Sequence, residues 1–174
     1  MITLIAFATT EGQARKVTEH IALYARERNH DVELYDTASL ADVPMVDEFA
    51  KLIVVASVHE ERHQESAINF VFAHLDQLRR KPSAFVSVSL SAAMADGQAE
   101  AQHYADRFMS TTGWSPAKTL LLAGALPLSK CDYFQRQVLK HILAKLGDDL
   151  DQDFYEFTNW ADLDNFIDHF LRDA

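Results

Sequence analysis

Apolar residues in this chain are gathered into four short runs, separated by longer segments in which they recur every three or four positions. The runs cover residues 2–8, 52–57, 83–90 and 119–126. Continuous apolar runs of this length are typical of strands that are covered on both faces of a parallel sheet. A fifth segment, 31–35, alternates polar and apolar residues, as a strand near a sheet edge does. The pattern therefore predicts five strands.

Helices are predicted between these strands. Apolar residues at three- and four-residue spacings predict helices over 14–27, 66–78, 98–110 and 161–171. Strands that alternate with helices form right-handed crossovers, which place helices on both faces of a parallel sheet. We therefore predict an α/β fold, a three-layer sandwich with a five-stranded parallel sheet in the order 2-1-3-4-5, in a single domain over residues 1–174.

One segment does not fit this alternation. Residues 127–150 form an insertion after the last core strand, in which 131–146 has helical spacing, and 154–158 follows as an extra strand. An apolar stripe with two flanking leucines runs along the predicted helix: Phe134, Val138, Ile142 and Leu146, with Leu139 and Leu143 beside it. Four cations accompany it: Lys130, Arg136, Lys140 and Lys145. The pattern suits packing on the protein or in a homodimer, and it equally suits an interfacial helix at a membrane.

The composition disfavours several classes of protein. The 174 residues include 16 Lys and Arg against 26 Asp and Glu, which gives a formal net charge of −10. That balance argues against nucleic-acid binding and against docking by charge alone on an anionic membrane, while it suits a basic protein partner or simple solubility. The chain has no apolar run of transmembrane length, and its start, MITLIAF, lacks signal-peptide features. With a single cysteine, Cys131, we expect a cytoplasmic protein without a disulfide or a metal site.

Candidate chemistry lies in the loop after the first strand, residues 9–14. Ligands of doubly wound sheets bind at the carboxyl ends of strands, and this loop also opens a helix. Two threonine hydroxyls, the free N–H groups of the helix N-terminus and a permissive glycine can surround a phosphate. One glycine and no loop lysine fit neither a dinucleotide nor a nucleoside triphosphate motif, which favours a phosphate monoester such as FMN. The alternative for Thr10 alone is a simple helix cap.

The loop sequence, within IAFATTEGQARKV, resembles the phosphate loop of flavodoxins. More narrowly, the chain is similar to the menaquinone-dependent protoporphyrinogen IX dehydrogenases, a flavodoxin-like family of haem biosynthesis. The other matching segments are VVASVHEERHQESAINFV, KPSAFVSVSL, LLAGALPLSKCDYFQRQVLKHILAKLG and TNWADLDNF. They run nearly end to end, and the helical insertion distinguishes that family from short electron-carrier flavodoxins. The resemblance implies a flavodoxin-like fold and an FMN-dependent oxidoreductase that takes electrons from a porphyrinogen and passes them to a quinone.

The resemblance also implies a set of cofactor-binding residues. The phosphate would be held by the first loop, and the isoalloxazine ring would lie between the loop 57–63 and the loop 89–97. His59, Arg62 and His63 would relay protons or meet a propionate, although the flavin performs the chemistry; for a single loop histidine, simple solvation is the alternative. The implied cofactor contacts are Thr9, Thr10, Glu11, Gly12, Gln13, Ala14, Ser57, Val58, His59, Ser89, Leu90, Ser91 and Gly97.

Three departures from the family keep other functions in view. Ala14 stands where family members commonly carry a hydroxyl, and neither ring loop has a Trp or Tyr to stack on the flavin. The loop 57–63 carries Glu60 and Glu61 where the family's loop tends to be basic and aromatic, which would lower the flavin potential and repel a substrate with two propionates. The alternatives are an electron carrier that docks a redox protein, and a flavodoxin-fold binding module without FMN.

Overall fold

Five parallel strands form the central sheet, in the spatial order β2-β1-β3-β5-β6. The computed structural model describes residues 2–40, 42–131 and 133–172, apart from the side chains of Lys130 and Phe134. The strands are β1 (Ile2–Ala8), β2 (Asp31–Asp36), β3 (Lys51–His59), β4 (Arg62–His63), β5 (Ser83–Ser89), β6 (Lys118–Ala123), β7 (Ala125–Pro127) and β8 (Phe154–Glu156). The α-helices are α1 (Gln13–Glu27), α2 (Glu65–Ala73), α3 (Leu75–Arg80), α4 (Gln98–Thr112), α5 (Tyr133–Leu146) and α6 (Trp160–Arg172).

Side-chain alternation along the strands divides the core into two layers. In β1, Leu4 and Ala6 face the side covered by α2 and α4, while Ile5 and Phe7 face the side covered by α1 and α6. Because both faces are covered, the central strands are mostly apolar, and the serines of β5 are buried. The predicted α/β sandwich and its strand order are confirmed, with β5 and β6 as the fourth and fifth core strands.

The structure differs from the predicted elements at three places. Residues 57–63, predicted as a loop, form the end of β3 and a short antiparallel β4, in which Val58 pairs with His63. The helix predicted over 66–78 divides at His74 into α2 and α3. The last predicted core strand ends at Ala123, and after Gly124 the chain enters β7, which pairs with β8 in a separate two-stranded sheet.

The insertion packs on its own small core rather than on the main sheet. Leu139 and Leu143 of α5 are buried against Tyr155 of β8. The predicted stripe is therefore wrong in part, because Ile142 is buried but Val138 and Leu146 are exposed; the side chains of Lys130 and Phe134 lie outside the described part. Burial of the Leu139–Leu143 face supports packing on the protein. Among the described residues, no helix has the length and apolarity needed to cross a membrane.

Candidate functional site

The carboxyl ends of β1, β3 and β5 meet at one edge of the sheet, beside the start of β7. A cavity of about 40 Å³ lies between them. Its lining includes six of the predicted cofactor-binding residues: Glu11, Gln13, Ser57, Val58, Ser89 and Leu90. Gly124, Ala125, Leu126 and Gln135 close its other side, so the insertion covers the edge at which the sheet ends.

The loop after β1 turns sharply into α1. Gly12, at the N-cap position, has φ +99°, a left-handed conformation that side chains rarely adopt, and its N–H donates to Thr9 Oγ1 at 2.9 Å. A Cβ added to Gly12 would point into open space. Among the described residues, no side chain caps α1, so the N–H groups of its first turn are available to a ligand. The simple cap considered for Thr10 is therefore not formed.

Gln13 and Ala14, both predicted to contact a cofactor, have side chains that are already engaged. The amide of Gln13 donates to Glu156 Oε1 at 3.0 Å and to Thr158 Oγ1 at 2.8 Å, and the methyl group of Ala14 is buried in the core beneath α1. Ala14 can therefore offer only its backbone N–H to a ligand at the helix start, and the side-chain N–H groups of Gln13 are already used. The Gln13 bonds tie the loop to the end of β8 and to Thr158, a long-range contact that local sequence patterns do not reveal.

Glu156 anchors this side of the site through charge. Lys16 Nζ donates to both carboxylate oxygens of Glu156, at 2.8 and 2.9 Å. Burial alone would raise the pKa of Glu156, but the hydrogen bonds from Lys16 and Gln13 hold that pKa below its ordinary value. Glu156 therefore stays ionised and keeps the ammonium of Lys16 beside the start of α1.

A tight hairpin turn connects β3 and β4. Glu60 and Glu61 have φ values of +48° and +63°, the conformation of a type I′ turn, which normally favours Asn or Gly. Both acidic side chains are exposed. His59, just before the turn, lies with Nδ1 2.7 Å from Glu11 Oε1, so the hairpin contacts the loop after β1 directly.

The hairpin brings the three predicted catalytic residues to one groove, but it exposes them to different extents. His63 is 3% exposed, and its ring packs against both Phe85 and Phe108 while Nε2 lies 2.9 Å from Ser87 Oγ. Burial lowers the pKa of His63 to about 3, so the ring is neutral at pH 7. Side chains alternate between the two faces of β4, and this alternation turns the His63 ring into the core. The structure therefore gives no support to a catalytic role for His63.

Arg62 points away from the core into an open groove. That groove has a volume of about 630 Å³ and lies on the outer side of the hairpin, against α2. His59 and Thr10 also border it, and Phe72 supplies an exposed apolar wall. Arg62 and His59 are therefore accessible to a ligand in this groove, whereas His63 also borders it but is almost completely buried.

The loop 89–97 forms the other wall of the cavity. Ser89 Oγ accepts a bond from Ala92 N at 3.3 Å, and Ser91 Oγ donates to Glu100 Oε2 at 2.5 Å. Gly97 packs so closely on Ser91 that an added Cβ would collide with the Ser91 carbonyl oxygen. Ser91 and Gly97 therefore shape the loop.

The loop is held to the insertion by a charge contact. Asp96 Oδ2 accepts a hydrogen bond from Lys145 Nζ and lies 3.5 Å from His141 Nε2. The bond from Lys145, more than that from His141, holds the pKa of Asp96 below its usual value. Asp96 therefore links one wall of the cavity to α5.

Sequence reasoning missed Gln64, which lies between the two loops. Its Nε2 donates to Thr10 Oγ1 at 3.0 Å and to Ser57 Oγ at 2.8 Å. A glutamine just before a predicted helix carries no local signal of this bridge, because the contact depends on the β3–β4 hairpin that the sequence pattern did not predict.

The donor set at this edge fits the phosphate end of a flavin nucleotide. Uncapped helix N–H groups, the Thr10 hydroxyl and the open space beside Gly12 provide an anion site. The space for a ring is small by comparison, because about 40 Å³ is close to the volume of one water molecule. This cavity therefore does not by itself enclose a ring.

A flavodoxin domain family matches residues 4–153. The chain belongs to the flavodoxin domain family. It is 26% identical over 168 residues to the protoporphyrinogen IX dehydrogenase [quinone] of Escherichia coli K12, covering 95% of this chain and 92% of that protein. It is 28% identical over 170 residues to the protein of that name in Leishmania major, covering 96% of this chain and 73% of that protein. These relatives confirm the resemblance found in the sequence.

Solved structures show the same fold. The flavodoxin of Streptococcus pneumoniae superposes with a TM-score of 0.52 at 16% identity, covering 84% of this chain and 98% of that one. Oxidised flavodoxin 1 of Bacillus cereus also gives a TM-score of 0.52, at 18% identity, covering 81% of this chain and 99% of that one. At these identities the likeness is one of fold, and it agrees with the strand order β2-β1-β3-β5-β6.

Proposed function

We propose that this flavodoxin-domain protein binds FMN, with the phosphate at the N-terminus of α1. The observation that carries the proposal is the loop after β1. There, Gly12 takes up a left-handed conformation with open space beside it, and the first turn of α1 has no side-chain cap among the described residues. The helix dipole favours a dianion at this place, and backbone N–H groups supply its hydrogen bonds.

The ring would lie at the carboxyl edge between the hairpin and the loop 89–97. Val58, Ser89 and Leu90 already line the cavity there, and Ser57 lines it at the side that Gln64 joins to Thr10. Because that cavity holds about 40 Å³, binding of the ring would displace the loop 89–97, the insertion, or both. The Asp96–Lys145 contact joins these two walls, so they would move together.

We further propose that the protein is an oxidoreductase that takes electrons from a porphyrinogen and delivers them to a quinone. The support is the name shared by its relatives, protoporphyrinogen IX dehydrogenase [quinone]. When bound, FMN supplies the capacity to accept and return electron pairs. The chain itself would hold the phosphate and exclude water from the ring. Arg62 and His59, which line the outer groove, would contact a propionate of the substrate or relay a proton.

The enzymatic proposal is tested under anaerobic conditions. We expect protoporphyrinogen to be converted to fluorescent porphyrin by the FMN-loaded protein when a menaquinone analogue is present, and not when the quinone is omitted. Arg62→Gln should raise KM for the porphyrinogen more than it lowers kcat, because a lost propionate contact weakens binding. Arg79→Gln, on α3, is the matched control.

A second function is favoured by the acidic turn Glu60–Glu61. Two exposed carboxylates at the hairpin, in a chain of formal charge −10, suit docking of a basic redox protein and disfavour a dianionic porphyrinogen. An electron carrier would bind FMN yet leave protoporphyrinogen unchanged with any quinone. A chain that stays colourless with FMN would instead be a flavodoxin-fold binding module.

A further inference from the structure

Gln64 bridges two segments of the proposed cofactor site. The amide Nε2 of Gln64 donates to Thr10 Oγ1, in the loop after β1, and to Ser57 Oγ, near the end of β3. At 3.0 and 2.8 Å these are ordinary hydrogen-bond distances. One side chain thus controls a hydroxyl on each loop.

The position of Gln64 is fixed from two sides. The preceding residue, His63, is anchored in the core by Phe85, Phe108 and the contact with Ser87. The backbone carbonyl of Gln64 accepts hydrogen bonds from Ala67 N at 3.1 Å and from Ile68 N at 3.3 Å. Gln64 is therefore the N-cap residue of α2. The amide therefore sits on a rigid support.

The direction of these bonds decides what the two hydroxyls can do. A hydroxyl has one proton and two lone pairs. Because the Gln64 amide donates to a lone pair of each oxygen, the protons of Thr10 and Ser57 remain available. Among the described residues, no acceptor is assigned to either proton, and Gln64 Oε1 is itself buried without a partner. The trio therefore offers two donors to a ligand, because the Gln64 Oε1 is buried.

We propose that Gln64 is a positioning residue that turns the Thr10 and Ser57 hydroxyl protons toward an anionic ligand. The matching chemical class is a phosphate monoester. FMN belongs to this class through its ribityl phosphate, so the proposal rests on the proposed cofactor and adds a residue that sets its recognition. Riboflavin, which lacks the phosphate, gains less from the arrangement.

The test is the substitution Gln64→Glu, which keeps the size of the side chain. A carboxylate only accepts, so it takes the protons of both hydroxyls and adds negative charge beside the phosphate site. We expect FMN affinity to fall at least about tenfold, the scale of a lost charge-assisted hydrogen bond, and riboflavin affinity to fall by less than about threefold. Gln77→Glu, which makes the same change on α3 beside Asp47, is the control and should leave both affinities unchanged.

The ratio of FMN to riboflavin affinity separates positioning from structural damage. A variant that only loosened the loops would weaken both ligands equally, and an unchanged ratio would overturn the proposal. The substitution Thr10→Val is a second test, because it removes one of the two hydroxyls and leaves Gln64 in place. We expect the loss in the double variant to be smaller than the sum of the two single losses, because both act on the same hydroxyl; additive losses would contradict the proposal.

The failure of this proposal is distinguishable from failure of the proposed function. If the wild-type protein does not bind FMN, the proposed function is wrong. The role of Gln64 is then tested with orthophosphate as the ligand. Titration of ¹⁵N-labelled protein should move the amide signals of residues 10–14 in the wild type and not in Gln64→Glu. Equal responses of the two proteins would overturn the role of Gln64.

Discussion

At the scale of single residues, burial decides the chemistry of His63. Its folded-state pKa is about 3, against an ordinary value near 6.5, because the ring is desolvated against two phenylalanines. Between pH 3 and pH 6.5, His63 is therefore protonated in the unfolded chain and neutral in the folded chain. Stability from this group is complete above about pH 6.5 and is lost as the pH falls toward 3.

A pH series of urea denaturations checks this. Between pH 7 and pH 5 we expect His63 to reduce the free energy of unfolding by about 2 kcal/mol. His63→Phe, which keeps an aromatic ring in the core, should lose that part of the pH dependence whatever its stability at pH 7. Equal pH dependence in the two proteins would show that His63 is solvated in the folded state.

The backbone of Gly12 supports a prediction about the loop. At φ +99° any other residue is strained, so Gly12→Ala should lower the free energy of unfolding by roughly 1–2 kcal/mol. Gly147→Ala, at φ +77° after α5, carries a similar backbone cost away from the loop. Because a Cβ at residue 12 projects into the proposed phosphate space, only Gly12→Ala should also weaken FMN binding. Equal FMN affinities in the two variants would place the phosphate elsewhere.

Residue roles were harder to predict than residue positions. The sequence located Glu11, Ser57 and Ser89 at a common edge because each follows an apolar run that forms a strand. It placed His63 with them, but alternation in a two-residue strand turned that ring inward. Gln64 was missed because its bonds to Thr10 and Ser57 join segments that are distant in sequence.

At the scale of elements, the insertion and the loop 89–97 behave as one wall of the site. α5 buries Leu139 and Leu143 against Tyr155, while Asp96 ties the loop to Lys145. The sequence predicted a helix there from its apolar spacing, but its buried face is set by β7 and β8, which the stripe alone does not reveal. The same limitation hid β4, since two residues are too few to show a period.

The link between these elements is tested with Asp96→Asn, which removes the charge that Lys145 and His141 face. We expect faster hydrogen exchange in α5 and in residues 91–97, because the two would separate more often. Asp106→Asn is the control, since that carboxylate accepts a hydrogen bond from Gln102 within α4. Unchanged exchange in α5 would show that the insertion is held in place by its apolar core.

At the scale of the whole molecule, the sequence was sufficient to predict the strand order. It was not sufficient to predict the width of the cavity. Alternation of apolar strands with amphipathic helices restricts the topology to a few doubly wound arrangements, and the observed order β2-β1-β3-β5-β6 is one of them. The width of a cleft between loops depends on contacts such as Glu11–His59 and Asp96–Lys145, which no periodicity encodes.

The central claim is that a flavin phosphate binds where β1 meets α1, and an FMN titration of the flavin-free protein tests it most directly. We predict saturable binding of one FMN per chain, seen as a shift of the flavin absorbance and quenching of its fluorescence, with clearly weaker binding of riboflavin. Protein that remains colourless, or that binds riboflavin as tightly as FMN, would contradict the account.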